Sequence, residues 1–163
     1  MKRVSVEFYD IAITDLVYDE SSPSCLRWRK TGEPAGCQDS NKYWLVRVGG
    51  RIGKLLRAHR IVWYMQHGQL PDLLDHRDTD PANNRIVNLR VATESQNRHN
   101  ANRHVDNTSG YKGVYWDKRT GKWMVKVSLN YESHWGGRFT DKQEAIEVAK
   151  DLRNKLHREF AKQ

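Results

Sequence analysis

Apolar and polar residues alternate over short stretches in the first third of the chain, which predicts strands. In CLRWRK (25–30), Leu26 and Trp28 alternate with Arg27 and Arg29, as in a strand with one buried face. TGEPAG (31–36) is turn chemistry, and KYWLVRV (42–48) is rich in β-formers and closes on Gly49-Gly50, a hairpin turn. The period then changes. Leu55, Ala58, Val62 and Met65 recur at helical spacing, Gly68 stands where a helix ends on a left-handed residue, and Pro71 follows, which predicts a helix over 57–67. IVNLRVA (86–92) is β-prone. TESQ (93–96) is a capping box in which Thr93 and Gln96 bond each other's amides, so a helix starts at Glu94 and Asn97 falls just past its first turn.

Residues 102–110, NRHVDNTSG, carry no apolar period and read as a linker. Beyond them GYKGVYWDKRTGKWMVKVSLN predicts a hairpin turning at Lys118-Arg119-Thr120-Gly121, and SHWGGRF a third strand. Thr140 and Gln143 form a second capping box, and Ala145, Ala149, Leu152, Leu156 and Phe160 make one apolar helical stripe that covers the sheet. Trp123, Val125, Val127 and Leu129 share the strand face toward that helix, and Lys122, Met124, Lys126 and Ser128 share the other. The predicted class is α+β: a small β region (1–54), a unit of two strands and a helix (55–102), a linker (103–110), and a three-stranded antiparallel sheet packed on one C-terminal helix (111–163).

Composition narrows the partners. The 163 residues carry 28 Lys and Arg against 20 Asp and Glu, a net charge of +8. Residues 1–46 hold six basic and seven acidic groups, 47–101 nine and five, and 102–163 thirteen and eight, so the excess lies in the last two thirds. Six Trp, seven Tyr and three Phe are too many for a disordered tail. A basic, aromatic-rich chain fits a polyanion, because Lys and Arg release counterions from phosphates. No run approaches the roughly 20 apolar residues of a membrane span, and MKRVSVEFYD has no apolar signal core, so a cytoplasmic protein without membrane contact is expected. Cys25 and Cys37 are too few for a cysteine-rich zinc site and are expected to be free thiols.

The chemistry gathers in LLDHRDTDPANNRIVNLRVATESQN. An imidazole serves as a general base near neutral pH, and carboxylate and amide oxygens are hard ligands suited to Mg²⁺. Asp75, His76, Asn88 and Asn97 supply both, with twelve residues from His76 to Asn88 and nine from Asn88 to Asn97. On the predicted helix His99 points about 200° away from Asn97, whereas Asn100 lies about 60° off. Asp75 and His76, as neighbours on a strand, converge on one ion only where the strand twists or ends. Asn83 and Asn84 read as loop formers. His59 either approaches substrate, buttresses the site or packs in its helix, the last being the commonest role. Arg85 is the best candidate for a phosphate clamp, with salt bridges to Asp78 or Asp80 as the alternative.

This stretch resembles the HNH nuclease family, in particular the phage and intron homing endonucleases, through its acid-His pair, NNR loop, NL and helix-borne Asn, with AHR (58–60) upstream. The resemblance implies a ββα-metal fold in which His76 deprotonates the attacking water. Asp75 and Asn97 hold one Mg²⁺ or Mn²⁺, and Asn88 hydrogen-bonds across the loop and fixes the orientation of His76. The implied products are 5′-phosphate and 3′-hydroxyl ends. Asn97 replaces the last His of the family's letters, which favours a hard metal over zinc.

Residues 108–161, with TSGYKGVYWDKRTGKWMVKV, HWGGRF and the Ala145 and Ala149 helix, resemble the DNA-binding domain of plant ethylene-response factors (the Apetala-type domain). That resemblance implies a sheet in the major groove, with Lys112, Tyr115, Lys122, Lys126 and Trp135 facing DNA. The plant domains carry more Arg on this face, so their base preference does not transfer. The leading reading is a metal-dependent endonuclease or nickase on double-stranded DNA, without a small-molecule cofactor. The alternatives are a non-catalytic, repressor-like DNA-binding protein and an RNA-binding protein.

Overall fold

In a computed structural model the described residues are 5–100, 107 and 109–157. The chain divides into two compact units, Met1–Val91 and Ala92–Gln163, and it is α+β as expected.

The first unit opens with helix α1 (Glu7–Asp15), where short strands were expected. Its β-branched Ile11, Ile13 and Thr14 hide the helical period, and packing decides instead. Tyr9 and Ala12 are buried, the Tyr9 ring lies 5.6 Å from that of Tyr64, and the Tyr64 hydroxyl donates to Asp10 Oδ1 at 2.6 Å. Strands β1 (Leu16–Tyr18) and β2 (Leu26–Trp28) pair antiparallel. Strands β3 (Cys37–Gln38), β4 (Trp44–Val48) and β5 (Lys54–Arg57) form an antiparallel sheet, with Gly49 and Gly50 at positive φ in the β4–β5 connection. Leu55 therefore belongs to a strand and not to the helical stripe: it faces Arg47 across the sheet, and Val46 pairs with Leu56 on the buried side. Helix α2 (Ala58–His67) follows directly and ends as expected on Gly68, at φ 67, whose amide donates to the Tyr64 carbonyl at 2.9 Å.

Strands β6 (Leu74–His76) and β7 (Leu89–Val91) pair antiparallel around a polar loop. The β-prone Ile86–Asn88 makes a single 3-10 turn before β7, because Ile86 packs on the core while Val87 is turned out to solvent. One core joins Tyr9, Ala12, Leu16, Leu26, Val46, Leu56, Ile61, Val62 and Leu89, and so spans both sides of residue 54. Cys25 is buried and Cys37 exposed, and both are free thiols.

The second unit starts with α3 (Glu94–Asn100), capped as expected: the Gln96 amide donates to Thr93 Oγ1 at 3.2 Å and the Thr93 amide to Gln96 Oε1 at 2.8 Å. Most of the expected linker lies outside the described residues, as does Phe160 of the expected stripe. Strands β8 (Val114–Asp117), β9 (Lys122–Leu129) and β10 (Glu132–Phe139) form an antiparallel meander, with β9 central. Helix α4 (Lys142–His157) covers it. Its cap is Asp141, whose Oδ1 accepts the Glu144 amide at 2.8 Å, one residue later than the expected Thr140–Gln143 box, while Gln143 reaches forward to Glu147. Val114, Val125, Ala145, Ile146 and Ala149 form the core, with Trp123, Phe139 and Leu152 against it. A side chain on Gly136 would place its Cβ 2.5 Å from Val125, so only glycine lets β10 cross this core.

Candidate active site and nucleic-acid face

The β6–β7 hairpin carries Asp75 and His76 toward its loop end, with Asp75 opposite Arg90 and His76 opposite Leu89. Both are buried, at 5% and 6% exposure. The strand ends at His76, which is where the expected convergence of two neighbouring side chains becomes possible. Asp75 Oδ2 accepts Arg90 Nε at 2.9 Å in an ion pair whose side chains are both 6% exposed.

His76 is enclosed by polar and aromatic groups. The ring of His59, itself buried, lies 5.0 Å away edge-on at 80°, and the Tyr43 ring lies 6.2 Å from His76 and 5.7 Å from His59. Arg57 lays its guanidinium 4.2 Å over Tyr43. His59 thus combines two of its three expected roles: it packs in its helix and buttresses the site. Burial pushes the His76 imidazole below its ordinary pKa, while the hydrogen bond to Asn84 and the carboxylates of Asp78, Asp75 and Asp80 pull the other way. Burial, then His76, Arg57 and Arg60, push His59 well below its ordinary value. Both rings are neutral at neutral pH, the state a general base needs.

Asn88 holds the loop together. Its Oδ1 accepts the Asp78 amide at 3.1 Å, and its Nδ2 donates to Asp78 Oδ1 at 3.0 Å and to the Asn83 carbonyl at 2.8 Å. Burial raises the Asp78 carboxyl's pKa, but hydrogen bonds from Asp80, Asn83 and Asn88 outweigh it and hold the group below the ordinary carboxylate value. A hydrogen bond to the His76 ring comes from Asn84, whose Oδ1 lies 3.2 Å from His76 Nε2. Asn84 is fully buried, so it is more than a loop former. The reason is geometric, since the 3-10 turn aims Asn88 back into the loop and leaves Asn84 beneath the ring.

The loop is fastened to the β1–β2 hairpin. Asn84 Nδ2 donates to the Ser24 carbonyl at 3.2 Å, the Ile86 amide donates to the Tyr18 hydroxyl at 3.1 Å, and Arg85 lies 3.7 Å from Glu20. The partner of Arg85 is therefore Glu20 rather than the expected Asp78 or Asp80, and its side chain remains largely exposed at 57%. These contacts cross 60 and 68 positions of sequence. Of the residues that reasoning from sequence missed, Asn84 carried one signal, a second Asn where one turn former suffices; Tyr43 carried none.

Asn97 lies on α3 in the second unit and is exposed. Among the described residues no group of three His, Cys, Asp or Glu side chains is arranged to hold a metal ion. The donors available are hard: a buried carboxylate held by Arg90, and side-chain amides. Such a set fits Mg²⁺ or Mn²⁺ in kind and does not fit a thiolate-bound zinc.

In the second unit Tyr115 pairs with Met124, Lys122 with Asp117, and Trp135 with Lys126, so these four expected contacts share the sheet face opposite α4. All four are exposed, Tyr115 at 48% and Trp135 at 52%. Lys112 lies in the turn before β8 and is half-buried. Arg138, paired with Met124, joins the same face with its guanidinium 5.0 Å over Trp135, a contact hidden from sequence by the bulge between Trp135 and Gly137.

Comparison with known proteins places this geometry. Residues 56–99 match the family model described as HNH endonuclease. The chain carries an HNH endonuclease domain. It is 33% identical over 111 residues to Protein 3.8 of Escherichia phage T7, covering 67% of this chain and 91% of that protein. No solved structure matches the chain. The HNH domain makes it a nuclease acting on DNA, and its matched segment contains Asp75, His76, Asn84, Asn88 and Asn97. No helix among the described residues is long and apolar enough to cross a membrane.

Proposed function

We propose that the protein is a metal-dependent endonuclease or nickase of phage homing type, cutting double-stranded DNA to 5′-phosphate and 3′-hydroxyl ends. The observation that carries this reading is a buried His76 beside the buried carboxylate of Asp75, inside the segment that matches the HNH family. His76 takes a proton from water, whose oxygen forms the new bond to phosphorus as the bond to the 3′ oxygen breaks. The departing oxygen takes a proton from solvent. Asp75 and Asn97 are the residues that would hold Mg²⁺ or Mn²⁺. When bound, that ion polarises the phosphate and stabilises the leaving oxygen. Asn88 keeps the loop closed, and Arg85 offers a guanidinium to the phosphate backbone.

Sequence preference is assigned to residues 111–163, read as an ethylene-response-factor-like domain joined by a linker at 103–110 to a nuclease domain at 55–102. Tyr115, Lys122, Lys126 and Trp135, with Lys112 at the edge, form its proposed contact surface: Lys on phosphate or guanine, aromatic rings on sugar or thymine methyl. Supercoiled plasmid and phage DNA incubated with Mg²⁺ or Mn²⁺ tests the whole reading. Open circles that require both the cation and His76, and that EDTA and His76→Ala abolish, are expected. Tight duplex binding without cleavage under either cation would replace it with the repressor-like reading.

A further inference from the structure

Between Asp39 and Asp72 the chain holds six Lys and Arg and no Asp or Glu. Four of the six, Arg47, Arg51, Lys54 and Arg57, fall on the β4–β5 hairpin. Val46, Val48 and Leu56 are buried in the core, so the strand period turns Arg47, Leu55 and Arg57 outward. Arg47 faces Leu55 across the hairpin and Arg57 faces Leu45, which gives each arginine stem an apolar neighbour. All four cations are exposed, and among the described residues none is paired with a carboxylate. A surface that serves solubility alone intersperses both signs of charge. This hairpin carries one sign.

The shape suits a groove. Strand β3 pairs with Trp44 and Leu45 alone, so beyond Leu45 the hairpin continues as a two-stranded ribbon, an element that a DNA groove admits. Its tip is a tight turn: the Gly53 amide donates to the Gly50 carbonyl at 3.0 Å, with Arg51 and Ile52 at the two central positions. A Cβ on Gly53 would collide with the Val48 carbonyl, so the sequence dictates this turn. Ile52 is 96% exposed, the highest value among the described large apolar residues, and fills no core. Arg47 Nη1 donates to the Gly53 carbonyl at 3.2 Å, which draws its charge toward the tip. At the other end the Arg57 guanidinium lies 4.2 Å over Tyr43, whose ring is 6.2 Å from that of His76. The basic face therefore runs from the tip to the edge of the proposed active site.

We propose that the β4–β5 hairpin is a duplex-DNA grip within the first unit: Arg47, Arg51, Lys54 and Arg57 bind backbone phosphates, and Ile52 enters the groove between them. Charge complementarity selects a polyanion, and an apolar tip flanked by cations matches the wedge that groove-binding proteins place between phosphate walls. The grip reads little sequence, because phosphate contacts position without specifying. Its consequence for cleavage rests on the nuclease reading, whereas duplex binding by the hairpin is measurable without any cutting.

The test is fluorescence anisotropy of the full chain on a labelled 30-base-pair duplex without divalent metal, titrated over a series of salt concentrations. Arg47→Ala/Arg51→Ala/Lys54→Ala leaves Arg57 on Tyr43 and is expected to reduce the salt slope by about 3, close to one per lost phosphate contact. Arg47→Lys/Arg51→Lys/Lys54→Arg keeps the charge and is expected to restore the slope, and circular dichroism should match wild type in both. Ile52→Ser is expected to weaken duplex binding about fivefold or more at an unchanged slope, and to leave binding to the single strand of the same sequence unaltered. In plasmid cleavage with Mg²⁺ the triple alanine variant should raise KM and leave kcat within about twofold, the mark of lost uniform binding. An unchanged salt slope in that variant, a slope that the charge-keeping variant does not restore, or an Ile52→Ser variant that binds duplex as wild type does would overturn the proposal. So would an Ile52→Ser loss of equal size on the single strand. If wild type bound duplex but cut nothing, the nuclease reading would fall while the salt slopes still decided the grip.

Discussion

Removing Arg90 isolates a charge the fold has enclosed. Arg90 and Asp75 face each other across β6 and β7, 2.9 Å apart, each side chain 6% exposed. An exposed pair of this kind contributes about 0–1 kcal/mol. Breaking a buried one costs about 3–5 kcal/mol, because the surviving ion keeps its desolvation penalty and loses its counter-charge. Arg90→Met fills much of the same volume, so cavity effects are small and the stranded Asp75 carboxylate dominates. The expected loss is therefore about 3–5 kcal/mol, against a typical total stability of about 5–15 kcal/mol. Asp75→Asn/Arg90→Met removes both charges and is expected to return to within about 2 kcal/mol of wild type. Urea unfolding of 5-fluorotryptophan-labelled protein, followed by ¹⁹F NMR, separates the two units: Trp28, Trp44 and Trp63 report the first, and Trp116, Trp123 and Trp135 the second. The transition should move only for the first three. A loss under about 1 kcal/mol in Arg90→Met, or a double variant no more stable than the single one, would refute the buried-charge argument. The folded double variant also separates stability from chemistry, since it lacks the proposed cation-binding carboxylate and is expected to lose Mg²⁺-dependent cleavage.

Three further outcomes are expected. His59 stays neutral in the folded state well below its ordinary value of 6.5, whereas the unfolded chain takes up the proton at 6.5. The unfolded state therefore binds more protons as pH falls through 6.5, and stability should drop by up to about 1.4 kcal/mol per pH unit until the folded-state ring titrates; His59→Phe should flatten that slope in unfolding measured at pH 7.5 and 5.5. Asn88→Ala removes three part-buried hydrogen bonds that close the 77–88 loop, so a loss of about 1–3 kcal/mol in urea unfolding is expected, with a fall in cleavage at matched folded fraction. Lys122→Ala/Lys126→Ala should weaken duplex binding in fluorescence anisotropy across sequences and reduce the salt slope by about 2, while circular dichroism stays unchanged because both side chains are exposed; an unaltered slope would remove this face from the DNA-binding surface.

What the sequence revealed and what it concealed divide by range. Local rules sufficed where a signal and its partner lie within a few positions: the Thr93–Gln96 cap, the Gly68 helix end, and the strand faces of Val125 and Val127 against Lys122 and Lys126. The α1 helix escaped because its stability comes from Tyr64, more than fifty positions away, and not from its own β-branched residues. Capping of α4 shifted by one residue because Asp141, a better cap than Thr140, stood next to it. Leu55 was misplaced because a strand runs straight into α2, so two periods overlap at one residue.

The enclosure of His76 is the deepest of these long-range effects, and it changes what the matched segment means. The HNH match runs from 56 to 99, yet the core that holds β6 and β7 includes Tyr9, Leu16, Leu26 and Val46. The carbonyl that holds Asn84 belongs to Ser24, and the hydroxyl that pins Ile86 belongs to Tyr18. All of these lie outside the match. The proposed catalytic residues are local, but Asn84, which faces the proposed base His76, is held by a hairpin 60 residues upstream. A change in the β1–β2 hairpin that leaves the whole matched segment in place is therefore expected to disturb the surroundings of His76.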